Sequence, residues 1–164
     1  MSFTITGDDD TIRKLSKLGN DSVEVFRFSL YKGAGKVADS IKQSMNGIPV
    51  DNRTYGTPDD PLNGITAKQK ADCIAALGIS QFQGEDTIDT SIGFDGYTVN
   101  ANNGTSKKYP KGIPIPMLMR SLESGTSFRT AHPVIRNAAN KAKAEAVEAM
   151  QQELNKQIDE RFGG

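Results

Sequence analysis

The chain reads as an α+β protein: a small antiparallel sheet with a β-hairpin, packed by a long helix in its N-terminal half and a long C-terminal helix. Three observations predict this. Apolar residues recur every three or four positions from Phe26 through Leu30, Ala34, Val37 and Ile41 to Met45. They recur again from Ile135 through Ala138, Ala142, Ala146, Met150, Leu154 and Ile158 to Phe162. Between these stripes, residues 86–99 alternate apolar and polar around Asp95-Gly96. A length of 164 residues suits one domain, 1–164, and no internal repeat divides it.

In chain order, the alternation from Phe3 to Thr6 predicts a short strand. Asp8, Asp9 and Asp10 precede Ile12, Leu15 and Leu18, which lie three apart as on one face of a short helix. Acidic residues favour the positive end of a helix dipole. Gly19-Asn20 predicts the stop of that helix, and the next is expected over 21–45. Gly33 and Gly35 lie inside this second helix at about 1 kcal/mol each relative to alanine, which predicts a bend or a close approach there.

Gly, Pro, Asn and Asp then dominate 46–64, and a long flexible loop is expected. Thr66 and Gln69 have capping-box spacing and predict a helix to about Leu77, with Ile74, Leu77 and Cys73 on its apolar side and Gly78 as its stop. In the expected hairpin, Ile88, Thr90, Ile92 and Phe94 form one strand, Asp95-Gly96 the turn, and Tyr97 and Val99 begin the return. A second flexible loop near 101–112 carries Lys107, Lys108 and Lys111. Pro114 and Pro116 lead into a helix from about Pro116 to Ser124, which Gly125 ends. Thr126-Ser127 turns the chain, and Pro133 stands in the first turn of a final helix expected over 133–162.

Composition narrows the function. Lys and Arg number 20 and so do Asp and Glu, so the net charge is zero, against the basic surface of a dedicated nucleic-acid binder. Cys73 is the single cysteine, which excludes an internal disulfide and suits a reducing cytosol. No basic-then-apolar leader and no membrane-length apolar run is present, so a soluble cytoplasmic protein without a membrane partner is expected.

No catalytic set emerges, and no enzyme is expected. Gly33-Ala34-Gly35-Lys36 lacks the spacing of a phosphate loop, is followed by Val37, and sits within a helical stripe. Cys73 and His132 are the single residues of their types; a buried cysteine and a turn or N-cap histidine are the simpler roles. Asp8 to Asp10, and Asp51 with Asp59 and Asp60, lack calcium-loop spacing, and one His with one Cys argues against zinc, so neither metal nor cofactor is expected. Lys107, Lys108 and Lys111 surround Tyr109, a combination that suits either a solvated loop or one close to DNA.

The segment Arg120-Ser121-Leu122-Glu123-Ser124-Gly125-Thr126-Ser127 resembles the Glu-x-Gly-Thr-Ser signature of the tail-completion proteins of long-tailed bacteriophages and prophages, also called head–tail joining or neck proteins. Ala131-His132-Pro133-Val134-Ile135-Arg136-Asn137-Ala138 resembles the small-x-Pro-apolar-apolar-Arg-x-Ala that follows it in that family. Ser91-Ile92-Gly93-Phe94-Asp95-Gly96-Tyr97 is similar to a hairpin of its members. The resemblance covers about Asp89 to the C-terminus; the N-terminal half matches only in its pattern of strand, short helix and long helix. Where many members carry a Pro-x-x-Thr-Gly-x-Leu stretch after the long helix, this chain has the 47–64 loop and the Thr66–Leu77 helix.

The resemblance implies a structural virion protein without catalysis, assembled in the host bacterial cytoplasm and located in the neck of the particle. It implies a ring of copies, sixfold, between a head-closure or connector protein and a tail-terminator or tail-tube protein, with DNA passing through the lumen. The tail-terminator role is its near neighbour, and a small cytosolic DNA- or protein-binding module is the alternative of another class. Arg120, Glu123, Gly125, Thr126, Ser127, Phe128, Arg129 and Pro133 are the candidate residues: they either fix the local turn or contact a neighbouring copy.

Overall fold

The computed structural model describes residues 9–82, 90–99 and 106–162, and the backbone alone for 9–18, 20 and 162. Among the described residues, four helices and two small antiparallel strand pairs make an α+β fold. Helix α1 spans Asp9–Met45 and α4 spans Val134–Phe162. The strand expected at Phe3 to Thr6 lies outside the described residues.

The predicted stop at Gly19-Asn20 does not occur: α1 runs through it, with the Ser22 hydroxyl donating to the Gly19 carbonyl at 2.9 Å. Stop signals act locally, at about 1 kcal/mol. Burial of Val25, Ser29 and Gly33 further along extends a helix already nucleated.

α1 and α4 pack antiparallel over most of their length. Near the core the Ser40 hydroxyl donates to the Ala138 carbonyl (3.1 Å), further along Lys36 pairs with Glu145 (2.9 Å), and beyond these Glu24 pairs with Arg161 (2.9 Å). Ala138, Ala142 and Ala146 are buried, as their stripe predicts, while Ile135, Met150 and Leu154 are half-buried and Ile158 is exposed. On α1 the buried set is Val25, Ser29 and Gly33 rather than the expected Phe26, Leu30 and Ala34, and Phe26 is 51% exposed. Small residues win this register because they let the backbones approach. A Cβ at Gly33 would lie 2.6 Å from the Met150 sulfur and 3.1 Å from the Ala146 carbonyl, so the close approach predicted at this glycine is present.

The core lies at the other end of the pair. Ala38, Ile41 and Met45 of α1 meet Ile48, Ile65, Cys73, Leu77, Ile115, Leu118, Met119 and Leu122. Helix α2 (Ala67–Ala76) starts on the predicted capping box: the Thr66 hydroxyl accepts from the Gln69 amide (3.2 Å), and the Gln69 side chain accepts from the Thr66 amide (3.1 Å). It ends within a residue of the predicted Leu77, but Gly78 is not its stop: Leu77 is already extended and Gly78 belongs to strand β1 (Leu77–Ile79).

β1 pairs with β2 (Ile92–Phe94), placing Leu77 opposite Phe94 and Ile79 opposite Ile92. β3 (Tyr97–Thr98) pairs with β4 (Ile113–Pro114). The hairpin expected across Asp95-Gly96 is therefore absent, and what precedes Thr90 in it lies outside the described residues, as do residues 100–105 of the second loop. Gly96 does take the positive φ of a turn residue (86°), but the turn carries the chain from one strand pair to the other. The strand leaving α2 has already claimed the edge of β2. The Asp95 amide donates to the Ala76 carbonyl (3.3 Å), and the Ile115 amide donates to the Gly96 carbonyl (3.0 Å). Residues 46–64 form no helix or strand beyond single-residue bridges, as their turn residues predict. They are pinned all the same: Val50 bridges to Ile65 and Leu62 to Arg129.

Candidate functional site

Helix α3 (Ile115–Ser124) positions the candidate residues. Ile115, Leu118, Met119 and Leu122 are buried at helical spacing, which fixes the rotation of the helix. Glu123 is thereby turned toward the start of α4, and Arg120 toward solvent. Gly125 ends α3 at φ 71°, in the left-handed region.

Glu123 caps a helix other than its own. Its carboxylate accepts from the Ile135 amide through Oε2 and from the Arg136 amide through Oε1, both at 2.9 Å. Two of the otherwise unpaired amides in the first turn of α4 are thus satisfied by a charge that also complements the helix dipole. Pro133 lies just before the first helical residue, Val134, rather than within the helix. His132, expected as a turn or N-cap residue, does not cap α4; the capping is done by Glu123. The His132 amide donates to the Leu122 carbonyl (2.6 Å), and its Nε2, facing the Asn63 carbonyl at 2.9 Å, must carry the proton and donate.

Between the two helices the chain folds back tightly. The Thr126 amide donates to the Arg129 carbonyl (2.9 Å), the Arg129 amide donates to the Thr126 carbonyl (3.2 Å), and the Phe128 amide donates to the Thr126 hydroxyl (3.2 Å). Ser127 and Phe128 form the exposed tip, with Phe128 at 55%. The arm of this turn is laced to the 46–64 loop. Leu62 donates to the Phe128 carbonyl and accepts from the Thr130 amide, each at 2.9 Å, and the Arg129 guanidinium donates to the Gly64 carbonyl. Gly64 is required here, since any Cβ would collide with the Pro49 carbonyl.

The loop has its own internal knot. Asp51 accepts from the Asn63 amide (2.8 Å) and from the Arg53 amide (3.1 Å) and guanidinium (2.9 Å). Arg53 also reaches Asp60 (2.5 Å) and the Pro61 carbonyl (2.9 Å). Arg53, and then the two amides, hold the Asp51 carboxyl well below the usual carboxylate range against the opposing effect of burial. Burial pushes the Arg129 guanidinium down, with the Asp51 charge opposing.

The structure thus brings Glu123, Gly125, Thr126, Arg129 and the residues around Pro133 into one hydrogen-bonded corner. It leaves Arg120 outside that corner and Ser127 and Phe128 at its tip. Lys107, Lys108 and Lys111 are exposed on a separate turn. Leu62 and Asn63 escaped the sequence reading because they act through backbone groups on a segment more than 60 residues away, and Arg53 escaped it because an irregular loop gives its ion pairs no periodic signal; Asp51, considered there only as a metal ligand, is instead the acceptor at the centre of the knot. Cys73 is fully buried, and burial pushes its thiol up to about 12, far from a ready nucleophile. Among the described residues no group of three or more His, Cys, Asp or Glu is placed to hold a metal ion, and no helix is long and apolar enough to cross a membrane. Compared with known proteins, the chain matches no family model, no curated protein and no solved structure.

Proposed function

We propose that this chain is a structural protein of the phage neck, a tail-completion subunit that forms a ring with other copies of itself between the head connector and the tail. One observation carries the reading. The residues of the Glu123–Ala138 signature are the ones that build the corner: Glu123 caps α4, Gly125 ends α3, Thr126 closes the turn, and Arg129 anchors the 46–64 loop. A motif that fixes backbone geometry in this way suits a protein whose work is to present a rigid surface. The exposed Ser127-Phe128 tip is the part of the corner free to meet a neighbouring copy or an adjoining neck or tail protein. On this reading Glu123 and Arg129 act from within the subunit, and the protein is made in the host bacterial cytoplasm and ends in the virion.

The test is to disrupt the gene in its phage or prophage and image the particles by electron microscopy. Filled heads and separate, unjoined tails are expected. Normal tail-joined particles overturn the proposal.

A further inference from the structure

The turn from Ser106 to Lys111 is short and closed on itself. Ser106 and Tyr109 exchange backbone hydrogen bonds (3.3 and 3.0 Å), the Ser106 hydroxyl accepts from the Tyr109 amide (3.1 Å), and the Gly112 amide donates to the Tyr109 carbonyl (3.0 Å). The Tyr109 hydroxyl sits 3.6 Å from the Met117 sulfur on α3, and the Lys108 ammonium lies 5.5 Å from the centre of the Tyr109 ring. Arg120 follows Met117 by one helical turn and so shares its face. Tyr97, 53% exposed, borders the same turn, since a Cβ built at Gly112 would lie 3.6 Å from the Cβ of Tyr97.

Four exposed cations, Lys107, Lys108 and Lys111 on the turn and Arg120 on the neighbouring face of α3, therefore share this part of the surface with two tyrosines and a methionine. No carboxylate among the described residues lies within ion-pair distance of any of the four. The carboxylates on the adjoining elements are engaged elsewhere: Asp72 holds Lys68 and the Thr98 hydroxyl, and Asp95 accepts from the Gly96 amide. In a chain of zero net charge, this face is a local positive field with flat aromatic surface inside it.

We propose that this face binds the phosphodiester backbone of a nucleic acid. The cations match phosphates, and the tyrosines offer surface against which sugars or splayed bases can lie. An acidic protein surface would use the cations but has no need of the tyrosines. The turn is held by hydrogen bonds within itself and to α3, so the cations are displayed without first ordering a loop. Recognition through phosphates carries no sequence preference.

The test is fluorescence anisotropy of a short labelled DNA duplex titrated with the full chain. Neutralising about four phosphates predicts a loss of affinity on the order of 100-fold between 50 and 200 mM salt. The triple variant Lys107→Ala, Lys108→Ala, Lys111→Ala should weaken binding about tenfold or more at low salt and lower the logarithmic salt slope by about three. A charge-matched control, Lys32→Ala, Lys141→Ala, Lys143→Ala, should bind nearly as the parent does. Absence of binding at low salt, equal loss in the two triple variants, or displacement by polyglutamate as readily as by unlabelled duplex would each overturn the proposal. None of these outcomes touches the neck reading, which is judged on particle images.

Discussion

The two ends of the α1–α4 pair are held together by different physics. Toward the tip, Val25, Ser29 and Gly33 are buried along a narrow seam, with Gly33 set against Ala146 and Met150. Two helices cannot cover each other, so Phe26, Val147 and Ile158 remain substantially exposed. At the corner, two short elements and a loop are joined by directed hydrogen bonds over a core in which Met45, Cys73 and Leu122 are fully buried. Close approach of small residues gives the tip its register but buries little apolar area, so it contributes little stability. Polar lacing gives the corner one backbone geometry, and the core beneath it supplies the burial. This arm, the end of the α1–α4 pair away from the core, should accordingly open locally before the corner does, which native-state hydrogen exchange measures directly.

The largest expected effect is at the core under the corner. Leu122→Ala removes a fully buried side chain and should destabilise by about 3 kcal/mol in chemical denaturation, whereas Ile158→Ala at the arm tip should change stability by under about 0.5 kcal/mol. Equal losses at the two sites would erase the contrast. Next is Glu123→Ala, which leaves the Ile135 and Arg136 amides without their charged acceptor and should lose about 2 kcal/mol. Exchange of the first-turn amides of α4 should accelerate more than that of its middle.

Gly33→Val tests the seam from the other side. Its Cβ would meet Met150 and the Ala146 carbonyl, so overpacking should destabilise by about 1.5 kcal/mol although valine is the better helix former. A stabilised variant would show that the helices can slide apart at no cost.

The smallest effect is at the loop knot, where Asp51→Asn should lose about 1 kcal/mol at neutral pH after solvent screening. Because folding lowers the Asp51 pKa, its contribution is fully present above the unfolded value near 4 and declines as the pH falls from there toward the lower folded value. The variant should therefore show a shallower loss of stability than the parent below about pH 4. Parallel acid-unfolding curves would remove Asp51 from the lacing.

Local chemistry was legible in the sequence where a residue and its partner lie within one turn and form a recognised cap or stop. Thr66 and Gln69 announced α2 because both halves of the capping box fall inside four residues. Gly125 announced the end of α3 because a left-handed residue is a one-residue property. The two long stripes announced α1 and α4, and with them the α+β class. Asp95-Gly96 was a sound turn signal, but it misdirected the pairing: a turn sets the local direction of the chain, whereas the partner of β2 depends on which edge is nearest, and β1 arrives there from α2. Gly19-Asn20 misled for a similar reason, since a weak local stop yields to burial further along the same helix.

The corner divides along the same line. Its order of elements could be read directly: α3, a left-handed glycine, a Thr-Ser turn, a proline and a long helix. That Glu123 would cap α4, and that Arg129 would reach Gly64, depended on the packing of α3 and the return of the 46–64 loop. The sequence by itself determined the length of α4 to within its ends, the C-terminal end of α1, the start of α2 and the stop of α3, because those properties follow from side chains acting on their own backbone. Only the tertiary structure decided the strand partners, the register of α1 on α4 and the lacing of the corner. These join groups distant in the chain, whose meeting depends on how all the elements pack at once.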